Sequence, residues 1–244
     1  IFSAVTNIIV DKFFPKPLNS FCNCKIFSIF LLSCVMYKFH GCLLQDEGVF
    51  KATLMAAINL AIDTFSDEEV KQIIDSLDNV KLKYIILFAV LTGARMGEIL
   101  ALKKNDIKDG VVKINKSIRK VRVYSDKENY TYQYKVTRPK TESSRREVPL
   151  PDKLITELKN LDILVKEEKL RLGPAYENND LLFPSITGTY IDDKNLRRSW
   201  ERALSSSGVE YKKFHALRHT YATRMIENGV ELLTVSRLLG HSSI

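Results

Sequence analysis

Three of the four histidines in this 244-residue sequence, His215, His219 and His241, fall within its final 30 residues. Arg218, Arg224 and Arg237 are interleaved with them. His215 and Arg218 are three apart, so on a helix they share a face. The planar fork of Arg218 can grip two oxygens of a phosphate, and His215 can donate a third hydrogen bond. Taken alone, the same pair also describes a solvated helix face. His219 reads equally well as a supporting core residue. His241 follows Gly240, where a histidine can simply cap helix carbonyls. Arg95 is more telling. It follows Leu-Thr-Gly-Ala at the mouth of an apolar run, where a charge is costly unless paired. Glu98, three residues on, is the evident partner. Lys140 lies in the polar, turn-like stretch TRPKTESS.

These side chains need elements to hold them. Ser66 and Glu69 have capping-box spacing, and Val70, Ile73, Ile74 and Leu77 lie on one face of the helix that follows. LKYIILFAVLTG is apolar nearly all round, which predicts a buried helix ended by Gly93. A further helix is expected from about Ala94 to Asn105. The middle of the chain is strand-like. VVKINKSI follows an Asp109-Gly110 turn, and Tyr130–Val136 alternates. Arg145–Pro151 is expected to pair with that strand, which would put Lys140 near a hairpin tip. Helices then resume. One is expected from Asp152 to about Leu172, with Asp152 as cap and Leu154, Leu158, Leu161 and Leu170 on its apolar face. The next is capped by Asp192 and ended by Gly208. Two more are expected, one from His215 stopped at Gly229 and one stopped at Gly240. His215 and Arg218 then sit at a helix start, where backbone amides add their own attraction for an anion. The fold class is α+β, mainly helical, with a small antiparallel sheet between helices.

Hydrophobic residues make up 45% and charged residues 27%, ordinary values for a soluble globular chain. The net charge of +8 and the pI near 9.2 are compatible with a polyanionic partner, most simply nucleic acid. No run reaches the ~18 apolar residues of a membrane span. IFSIFLLSCVMY, flanked by Lys25 and Lys38, reads as a buried segment and lacks the features of a signal peptide. No membrane and a cytoplasmic location are therefore expected. All four cysteines, Cys22, Cys24, Cys34 and Cys42, lie in the first 48 residues. Their spacing is not a usual zinc pattern, and reduced thiols in an apolar segment fit better than a metal site. Residues 1–48 also hold seven of the twelve phenylalanines and show no clean helical or alternating period. They are expected to be an atypical segment, disordered or foreign to the domain that follows.

Taken in order, TGARMGE, the lysine in PKTESSRREVPLP, then HALRH and LLGHSS resemble the catalytic domain of the tyrosine recombinase, or phage integrase, family. Arg218 and His241 are 23 residues apart, the separation that the family pattern leads one to expect. The overall look is nearest to integrases of conjugative transposons and temperate phages. The resemblance implies site-specific DNA recombination by strand breaking and rejoining through a phosphotyrosine, without metal or other cofactor. It implies double-stranded DNA and other recombinase protomers as partners. It assigns Arg95, Lys140, His215, Arg218 and His241 to catalysis, and Glu98 and His219 to supporting positions. Arg95 and Arg218 would clamp the phosphate oxygens as charge develops on them. His215 and His241 would hydrogen-bond the same phosphate, and Lys140 would protonate the leaving 5′-oxygen.

The family's nucleophilic tyrosine would follow the LLGH histidine by about nine residues, and only Ser242, Ser243 and Ile244 follow it here. Tyr221, the last tyrosine, reads as core packing. The domain expectation is therefore an atypical segment over 1–48, a remnant helix of a core-binding domain over 49–64, and a catalytic domain over 65–244 truncated before the nucleophile. The functional expectation is an inactive or incomplete copy of a recombinase. The alternative is a non-catalytic DNA-binding protein or regulator derived from a mobile element, because GVELLTVSRLLGHSSI also resembles the first part of a helix-turn-helix. A topoisomerase-like enzyme of the tyrosine-using kind fits less well.

Overall fold

A computed structural model describes residues 63–125, 129–137 and 145–240. The expectations for residues 1–62, including the cysteines and nearly all of the remnant helix over 49–64, lie outside that range, as do Lys140 and His241. The described residues fall in one unit, residues 62–244.

Helix α1 (Asp67–Asp75) opens with the capping box read from the sequence: Glu69 N–H donates to Ser66 Oγ at 3.1 Å and Ser66 N–H donates to Glu69 Oε2 at 2.8 Å. Helix α2 (Val80–Thr92) is the apolar run. Eight of its residues are buried, including Ile85, Ile86 and Phe88, because it is covered on several sides. Helices α4 (Asp152–Leu172), α5 (Asp193–Ser207) and α6 (Ala216–Glu227) all pack against it. Gly93 ends α2 in the left-handed conformation, with φ +63°.

The helix expected after Ala94 is much shorter than its pattern suggested: α3 spans only Met96–Ile99. Leu100, Ala101 and Leu102 are buried, and the Leu102 carbonyl accepts a hydrogen bond from the Leu182 N–H at 2.9 Å. Tertiary contact with a distant segment has overridden helix propensity here.

Among the described residues five strands follow: β1 (Ile107–Lys108), β2 (Val111–Ile114), β3 (Ser117–Tyr124), β4 (Tyr130–Thr137) and β5 (Arg146–Pro149). The expected pairing of Tyr130–Val136 with Arg145–Pro151 is corrected. The strands form two sheets, β1-β2-β5 and the hairpin β3-β4. In the first sheet Val112 faces Val148 across the ladder, and both are buried. In the second, Lys120 pairs with Tyr134 and Arg122 with Tyr132. Strand β4 is exposed along nearly its whole length and offers β5 no core-facing partner. Strands β4 and β5 therefore belong to different sheets.

Two helix details also differ from expectation. Pro151, not Asp152, holds the N-cap position of α4; its fixed φ suits a helix entrance. Leu170 is 83% exposed, while Val165 takes the buried place after Leu154, Leu158 and Leu161. Those four follow the helical stripe, and a residue five beyond Val165 points well away from it. Asp192 caps α5 as expected and Gly208 ends it. Helix α7 (Leu232–Leu239) packs on α6 and β5.

Candidate functional site

The site is assembled where α2 ends, α3 begins, and α6, α7 and β5 converge. Arg218 lies in the first turn of α6, and its residue is only 4% exposed. Its Nη1 donates to the Gly93 carbonyl at 2.8 Å and its Nη2 donates to the Leu239 carbonyl at 2.7 Å. Both acceptors are helix C-terminal carbonyls, from α2 and α7 respectively, which have no partner inside their own helix. Two of the five guanidinium donors are thus fixed to backbone, and no described carboxylate is bonded to the group. Burial and the nearby charges of Arg95 and Arg146 push its pKa down to about 9, with Glu98 opposing.

Arg95 sits at the N-cap of α3 and keeps its side chain 41% exposed. Its Nη1 donates to Glu98 Oε1 at 3.0 Å, and its backbone N–H donates to Glu98 Oε2 at 2.8 Å. Glu98 is buried and does more than the expected pairing with Arg95. Arg146, on β5, donates Nη2 to Glu98 Oε2 at 2.7 Å and Nη1 to Oε1 at 3.3 Å. Burial pushes the Glu98 carboxyl up, but the Arg146 hydrogen bonds and charge, with Arg95 behind them, bring it below the ordinary range. Among the described residues, Arg95 and Arg146 thus share the Glu98 carboxylate, with the Arg218 guanidinium close by.

His215 occupies the N-cap of α6 and is exposed. Its ring meets that of His219 edge-on, with centroids 4.9 Å apart. His219 is half-buried, and desolvation together with Arg218 lowers its pKa, while Asp63 opposes. Tyr221 is buried at 7% exposure and packs with Val235 and Leu239, as expected of a core residue.

The structure thus brings Arg95, Glu98, Arg218, His215 and His219 to one region. Arg146 was missed in the sequence, because nothing there tells which of the adjacent Arg145 and Arg146 points inward. A second feature was missed. Lys120, Arg122, Tyr124, Tyr130, Tyr132 and Tyr134 occupy one face of the β3-β4 hairpin, by the period-two rule. Arg122 lies 4.8 Å from the Tyr130 ring centroid, and Lys120 lies 5.1 Å from that of Tyr132. The alternating tyrosines of YTYQY were the available signal. Among the described residues no group of three or more His, Cys, Asp or Glu side chains could hold a metal ion. No described helix is long and apolar enough to cross a membrane.

The family model of the phage integrase family matches residues 63–244. The chain belongs to the phage integrase family. It is 42% identical over 201 residues to a tyrosine recombinase XerC-like protein of Caldanaerobacter subterraneus subsp. tengcongensis, covering 80% of this chain and 51% of that relative. It is 27% identical over 183 residues to the ICEBs1 integrase of Bacillus subtilis, covering 72% and 46%. The chain thus spans about half the length of the curated relatives it matches. Among solved structures it is similar to the XerA recombinase, at 19% identity and a TM-score of 0.55, covering 98% of this chain and 82% of that one. It is also similar to the Tn1549 transposon integrase solved with transposon right end DNA, at 16% identity and a TM-score of 0.57, covering 98% and 84%. At these identities the structural likeness shows a shared fold, that of a tyrosine recombinase catalytic domain with its small antiparallel sheet.

Proposed function

We propose that residues 63–244 form the phosphate-binding core of a site-specific DNA recombinase of mobile-element type, whose partners are double-stranded DNA and further recombinase protomers. The observation that carries this reading is the gathering of Arg95 and Arg218 near Glu98, with Arg218 fixed by two backbone carbonyls. Positive charge in excess at a partly buried place favours a multivalent anion. A regulator that only binds DNA gives no reason to gather such a cluster.

In this reading Arg95 and Arg218 hold the non-bridging oxygens of a scissile phosphate. Fixed donors of this kind act most strongly on the charge that develops in the transition state. His215, exposed at the start of α6, donates a further hydrogen bond to the same phosphate. Lys140 and His241 complete the set by their place in the motif order. Lys140 gives a proton to the departing 5′-oxygen, and His241 hydrogen-bonds the phosphate. Glu98 and His219 hold the arginines and His215 in place. The nucleophile is the family's tyrosine, and Tyr221 is not it: its ring is buried against α7. The assigned share of residues 63–244 in the reaction is therefore the clamp. The cations and tyrosines along β3-β4 give a second surface suited to DNA.

The test is binding of fluorescently labelled duplex DNA by the chain as a function of salt. The logarithm of affinity is expected to fall with the logarithm of salt by about 0.9 per neutralised phosphate. Arg95→Gln and Arg218→Gln should each weaken binding and reduce that slope. A flat salt dependence, or wild-type binding by both variants while folded, overturns the reading.

A further inference from the structure

Arg146 lies on β5, where the burial pattern turns Arg146 and Val148 inward and Glu147 and Pro149 outward. Its side chain is 4% exposed, and that of Glu98 is 7% exposed. Both Nη atoms of Arg146 reach Glu98, one to each carboxylate oxygen. Arg95, by contrast, touches only Oε1 with its side chain and remains 41% exposed. Glu98 is thus the shared hinge between a strand arginine that faces inward and a helix-cap arginine that faces out.

We infer that Arg146 is a positioning residue that works through Glu98, occupying the carboxylate so that Arg95 stays turned toward an incoming phosphate. This rests on the reading of the site given above. A lone carboxylate and a lone guanidinium close into a two-bond fork, the strongest arrangement open to them. With Arg146 holding both oxygens, Arg95 takes one side-chain bond and keeps the rest of its donors outward. Removing Arg146 leaves Glu98 with Arg95 alone. Arg95 then folds onto the carboxylate, its charge is cancelled, and the clamp loses an arm without any change at the arm itself. Arg146 need not touch the phosphate, because both of its Nη atoms are directed at Glu98.

The test is a double-mutant cycle between Arg95 and Arg146 on the affinity of the chain for labelled duplex DNA. Arg95→Gln is expected to weaken binding about tenfold, the change that ~1.4 kcal/mol produces. Arg146→Met should weaken it by a similar factor. The double variant should be no weaker than either, since Arg95 is already withdrawn when Arg146 is gone. Losses that multiply to about a hundredfold, or wild-type affinity in a folded Arg146→Met protein, overturn the inference. If Arg146→Met does not fold, Glu98→Gln with Arg146→Met removes both charges of the buried pair, a change that such pairs often tolerate. In that background Arg95 has no carboxylate to close on, and Arg95→Gln should again cost about tenfold; no effect of Arg95→Gln there overturns the inference. The two proposals fail differently. If Arg95→Gln and Arg218→Gln bind as wild type, the clamp itself is wrong. If both weaken binding and the cycle is additive, only the role of Arg146 is wrong.

Discussion

The Gly93 carbonyl accepts a hydrogen bond of 2.8 Å from Arg218 Nη1, joining residues 125 apart in sequence. Gly93 is placed to do this by its left-handed φ of +63°. It has no room for a side chain, since a β-carbon there would lie 2.5 Å from Tyr221 Cδ1 and 2.8 Å from Leu239 Cδ2. Gly93→Ala should therefore destabilise the chain by about 1–3 kcal/mol, through backbone strain and displacement of Tyr221. It should also weaken DNA binding, because the carbonyl that aims Arg218 moves with it. Gly110→Ala is the control. Its φ is also positive, but the nearest atom to its β-carbon is Ile155 Cδ1 at 3.5 Å. Urea denaturation should show the larger loss at Gly93, and only Gly93→Ala should alter DNA affinity.

Arg218 carries its charge in a place that resists it, which is why its pKa falls to about 9. The group is still protonated at neutral pH, so the fold bears an electrostatic cost there that a bound anion relieves. Sulfate or inorganic phosphate should raise the melting temperature of the wild-type chain. The gain approaches ~2.7 kcal/mol when the anion is at about 100 times its Kd. Arg218→Gln should abolish the increase beyond the general salt effect. Equal shifts in the two proteins in scanning calorimetry would falsify the assignment of the anion to this cluster.

Acid should weaken the fold in two stages. His219 has a pKa held below its ordinary 6.5, so the folded state binds its proton less readily than the unfolded state does. That part of the stability is present above about pH 6.5 and is lost as pH falls through the lowered value. Glu98 is likewise held below its ordinary 4.5, and its contribution is lost as pH falls from about 4.5 through the depressed pKa. His219→Asn should flatten the first stage and leave the second. Chemical denaturation at a series of pH values reads both, and a single stage unchanged by His219→Asn would count against the account.

Phe65 ties the start of the domain to the helix that carries Arg218. Its N–H donates to Thr220 Oγ1 at 2.8 Å, its ring meets Trp200 edge-on at 5.6 Å, and Lys212 Nζ lies 4.8 Å from its centroid. Lys212 also donates to the Thr64 carbonyl at 2.8 Å and to Glu69. Phe65→Ala should cost about 3–5 kcal/mol, the usual range for a buried aromatic ring. Hydrogen exchange should quicken in α6 more than in α4. Uniform acceleration across the domain would show that Phe65 stabilises the fold without any special hold on α6.

Much of this architecture was legible along the chain because its causes are local. The Ser66–Glu69 box, the Asp192 cap, and the stops at Gly93, Gly208 and Gly240 each depend on backbone groups within a few residues. The burial of α2 follows from a run with no polar face to show. The Arg95–Glu98 pair is a three-residue relationship, and the motif order placed it beside His215 and Arg218. Other features depend on partners that no local pattern names. The alternation of β4 and β5 is compatible with several pairings, and burial decided that β5 joins β2. That choice of register turned Arg146 inward and Arg145 outward, since a shift of one residue exchanges the faces of a strand. The early end of α3 needed Leu182 to meet Leu102.

The sequence by itself determined the family, most of the described helices and the residue types of the proposed phosphate clamp, because these rest on short-range spacing and on the order of motifs. Only the tertiary structure decided how the clamp is held. Helix ends from α2 and α7 supply the carbonyls that fix Arg218, and a strand supplies the arginine that shares Glu98. Burial is the physical reason. A guanidinium or carboxylate taken from water must find its hydrogen bonds among whatever groups the fold brings within reach, and those groups become neighbours only when the chain is packed.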